Sequence, residues 1–390
     1  MKISVYLLLL LSLNVFSQDY VHQVLVLNEG YFNYADSEIV VPVTIGSYDP
    51  NTEIYTSLHT VEGARFASDI VINDGFYYVA ADTLLLKYDL ATNELLNSTT
   101  VPGIRNIAIY EDNIIVTRGE YLVSYSSYLQ VYSANDLSFS NELDTVNGPK
   151  WASQNLIVRD DIVYVAINNG FEWSNEKGIV GMLDMSNMEY INEIDLGFDA
   201  RNIDNMMTDG EFIYTVNNKD WSGASISKLD LSDNSSITTN IAIASTGCGT
   251  SSFRGDKLVY QISSTSELFE WDPELLSDNG TLLEINQAFY DLSYDYTNQY
   301  LYASVTDYTS FGKVSIYDNQ NELVGEFDCG VSPGTMAFDV RNLTGISNYS
   351  LDAKDANLTF DLKGNKVDDL KNASSGIYIQ NGKKIFISKK

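Results

Sequence analysis

The chain has 390 residues, of which 44% are hydrophobic, and its 23 Lys and Arg against 53 Asp and Glu give a formal net charge of -30. This length suits two or three domains, or one large all-β domain with an appendage. The acidity argues against nucleic acid and anionic membranes as partners, because both need a positive protein surface. With only His22 and His59 present, His-rich metal sites and most His-based catalysis are excluded.

The N-terminus has the pattern of a secretory signal peptide. Lys2 precedes an apolar run over residues 3–16, and Ser17 followed by Gln18 is a suitable cleavage junction. We therefore expect residues 1–17 to be removed during secretion. The run is too short to span a bilayer, and no later segment approaches the roughly 18 apolar residues that a membrane helix requires. No Cys follows the run, so an N-terminal lipid anchor is not expected.

A four-strand unit recurs between Val21 and Phe327. Each copy has an apolar strand, a tight polar turn, a second strand, a variable loop, a third strand that often ends in Asp, and a last strand. The third-strand endings recur about every 40 to 52 residues, at Tyr48-Asp49, Tyr88-Asp89, Val131-Tyr132, Leu183-Asp184, Leu229-Asp230, Trp271-Asp272 and Tyr317-Asp318. Four short strands in repeats of this length are typical of a β-propeller blade.

Seven copies predict an all-β chain whose residues 18–342 form a seven-bladed β-propeller. A strand over residues 334–340 is placed to close the ring by pairing beside the first blade. Cys248 and Cys329 fall two blades apart, too far for a disulfide, which needs Cα atoms closer than about 7 Å. We therefore expect two free, buried thiols.

The composition changes near the C-terminus. Residues 348–390 contain eight Lys and five Asp, for a net charge of +3, whereas residues 18–347 carry -34. This sign change marks a second domain, residues 343–390, which we expect to be a small β-sandwich-like unit. Asn381-Gly382 is a strong two-residue hairpin turn within it.

The tail resembles the C-terminal sorting domain of the type IX secretion system of Bacteroidetes. The matching residues are Phe360-Asp361-Leu362-Lys363-Gly364-Asn365-Lys366-Val367, Gly376-Ile377-Tyr378-Ile379 and Asn381-Gly382-Lys383-Lys384. Phe360 and Asn365 replace the usual Tyr and Arg, and an upstream Pro-Asn-Pro element is missing. The resemblance implies export through the periplasm to the outer-membrane surface or the medium, with the type IX machinery as a partner.

The blades resemble YVTN-type, surface-layer-like propellers. The opening Val26-Leu27-Asn28-Glu29-Gly30 is similar to the start of secreted Bacteroidetes propellers in a domain-of-unknown-function family. Some of that wider group capture cobalamin for uptake, which implies a bound corrinoid and an outer-membrane uptake protein as partner. Those propellers are lipid-anchored, and this chain differs from them in lacking the lipidation Cys.

Blade order decides which connections share a face. First-to-second and third-to-fourth turns lie on one side, and second-to-third loops and between-blade connections lie on the other. The second set is long and aromatic, which favours a ligand site at that mouth of the channel. The candidate ligand-binding residues are Tyr31, Phe32, Arg65, Phe66, Arg105, Trp151, Trp173, Arg201, Trp221, Phe253 and Phe289. The alternative is that the rings wedge between blades and that the Arg side chains pair with blade acids.

No nucleophile–base motif, calcium loop or zinc motif is present, so we expect no catalytic residues and no metal. The leading interpretation is a monomeric, secreted, cell-surface propeller that binds a small nutrient such as a corrinoid or a glycan and is not an enzyme. Two alternatives stay open. One is a propeller-fold lyase or glycosidase with a carboxylate and Tyr at the channel mouth, and the other is a structural or adhesion protein. Fold alone cannot decide, because propellers host all three.

Overall fold

The computed structural model describes residues 19–242, 250–263, 265–276, 280–342, 359–361, 376–380 and 383–387. One compact unit covers Asp19–Arg341, and the described strands after residue 358 belong to a second unit. The described residues are all-β apart from one 3-10 turn at Phe198–Ala200. The predicted signal peptide and Cys248 lie outside the described residues.

The first half of the large unit contains seventeen strands. They are β1 (Asp19–Asn28), β2 (Tyr31–Asn33), β3 (Glu38–Val41), β4 (Val43–Asp49), β5 (Ile54–Val61), β6 (Asp69–Asn73), β7 (Phe76–Ala81), β8 (Leu84–Asp89), β9 (Leu95–Thr100), β10 (Ile104–Tyr110), β11 (Asn113–Arg118), β12 (Ser127–Ser133), β13 (Phe139–Asp144), β14 (Ser153–Arg159), β15 (Ile162–Ile167), β16 (Ile179–Asp184) and β17 (Glu189–Asp195). The short pair β2–β3 is a hairpin inserted between β1 and β4.

Thirteen strands complete the unit. They are β18 (Ile203–Thr208), β19 (Phe212–Asn217), β20 (Ala224–Asp230), β21 (Ser236–Ala242), β22 (Ser251–Arg254), β23 (Lys257–Gln261), β24 (Leu268–Trp271), β25 (Thr281–Leu283), β26 (Leu292–Asp295), β27 (Tyr300–Val305), β28 (Phe311–Tyr317), β29 (Leu323–Val331) and β30 (Pro333–Asn342). Asp and Asn side chains accept turn N–H groups between them, as Asp295 does from Thr297 and Asn298.

These strands form seven four-stranded antiparallel sheets, which are the seven blades predicted from the repeat. Six blades take their strands in chain order, from β6–β9 through to β26–β29. The first blade has the order β30-β1-β4-β5, so the last strand supplies its innermost position. The predicted closure by residues 334–340 is therefore confirmed. Gln23 Nε2 on β1 donates to Asp339 Oδ2 on β30 at 3.0 Å across this junction.

The buried apolar side chains form a cluster at each of the seven blade–blade junctions. Alternation along each strand sends one set of side chains to each neighbouring blade, as a period of two requires. Where blade seven meets blade one, the Tyr48 ring stacks on Phe327 with centroids 4.0 Å apart, and Cys329 is buried beside them. Because every junction is filled, the core is a closed ring of seven interfaces.

The smaller unit contains β31 (Thr359–Asp361), β32 (Gly376–Gln380) and β33 (Lys383–Ile387) in one antiparallel sheet. Its register pairs Gln380 with Lys383 and Gly376 with Ile387. This is the register that a two-residue hairpin loop gives. The loop residues themselves, Asn381 and Gly382, lie outside the described residues.

Candidate functional site

The channel opens into a funnel on one side of the ring. This side, which we call the loop face, carries the second-to-third-strand loops and the between-blade connections, and the opposite side is the turn face. The funnel has a volume of about 590 Å³. Inner strands of six blades, or the residues just before them, contribute to its wall through Asp69, Arg105, Asn106, Gln154, Asn155, Asp204, Asn205, Tyr290, Asp291, Gly334 and Thr335.

Three consecutive inner strands reach the funnel through β-bulges. Arg105 and Asn106 lie opposite one residue of β11, and Gln154 and Asn155 lie opposite one residue of β15. Asp204 is the extra residue of β18. All five residues line the funnel. A bulge re-aims side chains that regular alternation would direct elsewhere, so it explains how these polar groups come to face the channel.

Two arginines are held in the wall by different means. Arg65 donates to Asp82 from Nε at 2.9 Å and from Nη2 at 2.5 Å, and its Nη2 also donates to Glu120 at 3.0 Å. The hydrogen bonds to Asp82 are the main cause of a raised pKa of Arg65, and the contact with Glu120 adds to it. Arg105 instead lies between two rings, with its guanidinium carbon 5.0 Å from the Phe171 centroid and 5.6 Å from that of Phe66. The wall therefore offers fixed positive charge beside flat apolar surfaces.

Glu29 and Asp291 form a carboxyl pair with Tyr290. The Tyr290 hydroxyl donates to Glu29 Oε1 at 2.7 Å. Burial raises the pKa of Glu29 to about 7, against the lowering effects of this hydrogen bond and of the Arg105 charge. Burial also raises the pKa of Asp291 to about 7, and the Glu29 charge adds to that rise. Both groups can therefore exchange a proton near neutral pH.

A third funnel acid, Asp69, is the first residue of β6. Its Oδ2 accepts from the Ile107 backbone N at 2.8 Å and from Asn106 Nδ2 at 3.3 Å, across the junction with the next blade. Burial nonetheless raises the pKa of Asp69 to about 6. Gly334 sits close to Glu29, because a Cβ at residue 334 would collide with the Glu29 carboxylate. The funnel is thus polar, mixed in charge and closely fitted around Glu29.

No protein-family model matches the chain, and no characterised protein matches it by sequence. Solved structures do align with it. A hypothetical selenium-binding protein from Sulfolobus tokodaii superposes with a TM-score of 0.64 at 11% identity, covering 82% of this chain and 94% of that one. Dihydro-heme d1 dehydrogenase NirN in complex with DHE gives 0.50 at 15% identity, covering 83% and 76%. At such identities the likeness shows the β-propeller fold alone.

The predicted site residues fall into three groups in this propeller. Arg65, Phe66 and Arg105 line the funnel together. Trp173 and Trp221 are exposed on loops of the same face, at 73% and 45% of their surface. The rest are placed in strand β2 or in packed positions: Tyr31, Phe32, Trp151, Arg201, Phe253 and Phe289.

The packed positions have scaffold contacts that explain them. Phe253 and Phe289 are buried at blade junctions, where neighbouring side chains cover their rings. Trp151 packs against the cluster between blades three and four, and Lys177 Nζ lies 5.0 Å from its ring centroid. Arg201 lies outside the funnel lining. Its Nε donates to the Phe198 carbonyl at 2.9 Å, and its guanidinium lies over the Phe198 ring and 3.7 Å from Asp220.

One placement differs from the sequence interpretation. Arg105 was expected in the connection before the inner strand, as Arg65 is, but it lies within β10 as the second residue of that strand. The bulge at Arg105 and Asn106 is the physical reason, because it lets the strand begin early and still direct Arg105 to the channel.

The ligand-binding residues predicted from the sequence did not include the funnel acids, and they included Phe289 rather than its neighbour Tyr290. Glu29 appeared only in the opening Val26-to-Gly30 stretch, and Asp69 and Asp291 were two acids among 53. A usable signal was present in Ser68-Asp69-Ile70 and Tyr290-Asp291-Leu292, where an acid stands at the start of an apolar inner strand. Such a position is at the loop-face end of the channel wall.

The described residues contain neither a cluster suited to a metal ion nor a membrane-spanning helix. No group of three or more His, Cys, Asp or Glu side chains there is arranged to hold a metal ion. No helix in the described ranges has the length and apolar character needed to cross a membrane.

Proposed function

We propose that this propeller is a binding protein that holds a small polar ligand, a glycan fragment, in the funnel. The observation that carries the proposal is the cavity of about 590 Å³, into which six blades direct hydrogen-bonding side chains. Ligand pockets usually enclose about 300–1,000 Å³ and combine apolar rings with a few placed polar groups. A corrinoid would remain largely outside a funnel of this size, so a glycan is the favoured ligand class.

Carboxyl, amide and hydroxyl groups in the wall suit a ligand rich in hydroxyls, since together they supply both hydrogen-bond donors and acceptors. Phe66 and Phe171 offer flat apolar faces beside them. The open funnel also argues against a purely structural role, for which a flat or plugged face would suffice.

An exchange of Tyr290 for Phe tests the proposal, because it removes one hydroxyl and keeps the ring. A matched control is Tyr294→Phe in β26, whose hydroxyl donates to Asn319 Oδ1 at 3.2 Å near the turn face. Each change should cost about 1 kcal/mol of stability. In calorimetry with a panel of mono- to tetrasaccharides, only Tyr290→Phe should weaken binding, by roughly tenfold. Equal effects of both variants, or no binding by the wild type, would refute the proposal.

An enzyme is the second candidate, and the Glu29–Tyr290–Asp291 group favours it. Two carboxyls with pKa values near 7 suit a general acid and a general base. In hydrolysis of a glycosidic bond, one carboxyl protonates the leaving oxygen while the other takes a proton from the attacking water. Formation of new reducing ends by the wild type, and its loss in Glu29→Gln and Asp291→Asn, would establish this activity. If the wild type forms no new reducing ends from any saccharide of the same panel, the enzyme proposal is refuted and only the binding proposal stands.

We also propose that the C-terminal unit directs export to the cell surface by a type IX route. The charge reversal after residue 347 and the sorting-domain resemblance support this. Deleting residues 348–390 should leave a folded propeller that stays in the periplasm of a host with this pathway. Fractionation with surface proteolysis measures the outcome, and a truncated protein that still reached the surface would refute the proposal.

A further inference from the structure

Four loops of the loop face carry the same short unit, an acid followed directly by a large ring. The units are Glu120-Tyr121, Glu172-Trp173, Asp220-Trp221 and Asp307-Tyr308, from the second-to-third-strand loops of blades three, four, five and seven. Their rings are exposed by 57%, 73%, 45% and 58%. We call these four rings the aromatic rim. Equivalent loops of different blades thus present equivalent groups around one mouth.

The acid of each unit fixes its loop. Asp307 Oδ1 accepts from the backbone N of Thr309 and Ser310 at 2.9 and 2.7 Å. Glu172 Oε2 accepts from the side-chain amides of Asn169 and Asn175 at 2.9 and 2.8 Å. Hydrogen bonds of this kind lower the pKa of Asp307 and Glu172, so both stay ionised. The acids therefore hold the loops that carry the rings.

Glu120 and Asp220 act in the same way. Glu120 accepts from Arg65 and from the Tyr125 hydroxyl at 3.0 and 3.1 Å, which joins its loop to the funnel wall. Asp220 accepts from the Ser222 backbone N at 3.3 Å and from its hydroxyl. A ring held before binding loses little freedom on binding, which favours affinity.

The backbone at two of these rings lies in the left-handed region. Trp221 has φ 65° and Tyr308 has φ 67°. Bulky residues rarely adopt positive φ, and doing so costs roughly 1–2 kcal/mol. The Trp221 ring is 45% exposed and gains little from packing, whereas the Tyr308 ring packs edge-on against Tyr290 with centroids 5.5 Å apart. At Trp221, packing therefore does not explain the strained backbone, and such strain is often found at binding sites.

We propose that the aromatic rim binds successive units of a linear glycan that is uncharged or amino-bearing, and that the funnel takes one end of it. This inference rests on the proposed function and names its ligand as a polymer. A recognition unit repeated at four loops matches a ligand that itself repeats. Flat ring faces suit the apolar faces of sugar rings, and the net charge of -30 disfavours a polyanionic chain.

A protein partner fits this surface less well. Each rim ring adjoins an acid, and Trp173 and Trp221 are also followed directly by Ser. The cores of protein interfaces are depleted of charged residues and form contiguous apolar patches. The rim instead presents its rings, of which Tyr121 and Trp173 have centroids 6.5 Å apart, among charges and hydroxyls, and this arrangement suits a hydroxyl-rich chain.

Affinity gel electrophoresis of the full chain tests the proposal with laminarin, galactomannan and chitosan as probes, and with alginate as the polyanionic comparison. The key variant is Trp173→Ala/Trp221→Ala. The control is Tyr296→Ala, which removes a ring exposed by 62% on the turn face. We expect at least one of the first three polymers to retard the wild type and the control, and the double variant to lose at least tenfold in apparent affinity with an unchanged melting temperature.

Binding of short oligosaccharides in the funnel should change less than twofold in the double variant. Loss of polymer binding with intact oligosaccharide binding therefore supports the rim. Equal polymer retardation of wild type and double variant, retardation by alginate alone, or by no polymer, overturns the rim proposal. Failure of the proposed function appears separately, as wild-type protein that binds none of the short oligosaccharides.

Discussion

The turn face and the funnel use acidic residues in opposite ways. On the turn face, Asp89 ends a third strand and accepts from the backbone N of Ala91 and Thr92 at 2.9 and 2.7 Å, which lowers its pKa. In the funnel of the loop face, burial raises the pKa values of Glu29 and Asp291 to about 7. Turn geometry thus stabilises a carboxylate, whereas the channel wall favours its protonated form.

The faces also differ in what they expose. Connections of the turn face expose Leu275 and Tyr296, whereas those of the loop face expose Tyr34, Tyr121, Leu122, Trp173, Phe198, Trp221 and Tyr308. Short hairpin turns favour Asp, Asn, Gly and Ser, whose backbone conformations and side-chain hydrogen bonds suit a tight turn. Long loops can carry aromatic side chains that make no contribution to packing between blades. The comparison separates a face that maintains the fold from a face available for recognition.

The largest effect on stability is expected from a buried Trp. Trp151 and Trp271 pack at blade junctions, whereas Trp173 and Trp221 are exposed on the loop face. Trp271 is 1% exposed in the junction of blades five and six, so Trp271→Ala should cost about 3–5 kcal/mol. Trp173→Ala should change stability by less than about 0.5 kcal/mol, because that ring has no core to leave empty. Urea unfolding measures both. A large loss with Trp173→Ala would show that loop-face rings support the fold.

A pH series separates the funnel acids from the turn acids. Glu29, Asp69 and Asp291 have raised pKa values in the folded protein. Below about pH 4 these three carboxyls are protonated in both the folded and the unfolded chain, so their contribution to stability is fully present. Between about pH 4 and 7 the unfolded chain ionises first, so stability falls as pH rises. The melting temperature should fall by several degrees across this window.

In the variant Glu29→Gln/Asp69→Asn/Asp291→Asn, the melting temperature should depend less on pH over the same window. The turn acids act in the opposite direction, since their lowered pKa values give stability that is lost as pH falls below about 4. Parallel curves for wild type and variant would mean that the funnel acids are as well hydrated as those of the turns.

The smallest effect is expected from a single turn acid. Asp89→Ala removes the acceptor for two backbone N–H groups of an exposed turn, so it should cost about 1 kcal/mol. Oligosaccharide binding should not change, because the turn is on the opposite face from the funnel. A binding defect with Asp89→Ala, measured by calorimetry, would break the division between the faces.

The architecture could be predicted because its signals are local. Each landmark from Tyr48-Asp49 to Tyr317-Asp318 falls within one residue of the end of a third strand in the structure, since an alternating strand followed by a tight polar turn is specified within ten residues. The closing strand was predicted for a similar reason. An apolar strand left over after seven copies has one place to pair, beside the first blade.

The funnel could be predicted only in part. Arg65 and Phe66 were found because a long connection precedes β6. Asp204 and Asn155 reach the channel through bulges, and a bulge depends on partners in the next strand rather than on the pattern of its own strand. Glu29 and Tyr290 meet across 261 positions of sequence, so only the closed ring brings them together.

The pairing of β30 with β1 has a consequence for biosynthesis. β1 leaves the ribosome early and keeps one edge unpaired until β30 has been made, almost a whole chain later. At roughly 5–20 residues per second, that wait is on the order of 15–60 s. During it, the edge is open to any other strand. The time during which the β1 edge stays unpaired is therefore set by the time needed to synthesise the chain as far as β30. A chain whose synthesis stopped before residue 333 could not complete its first blade.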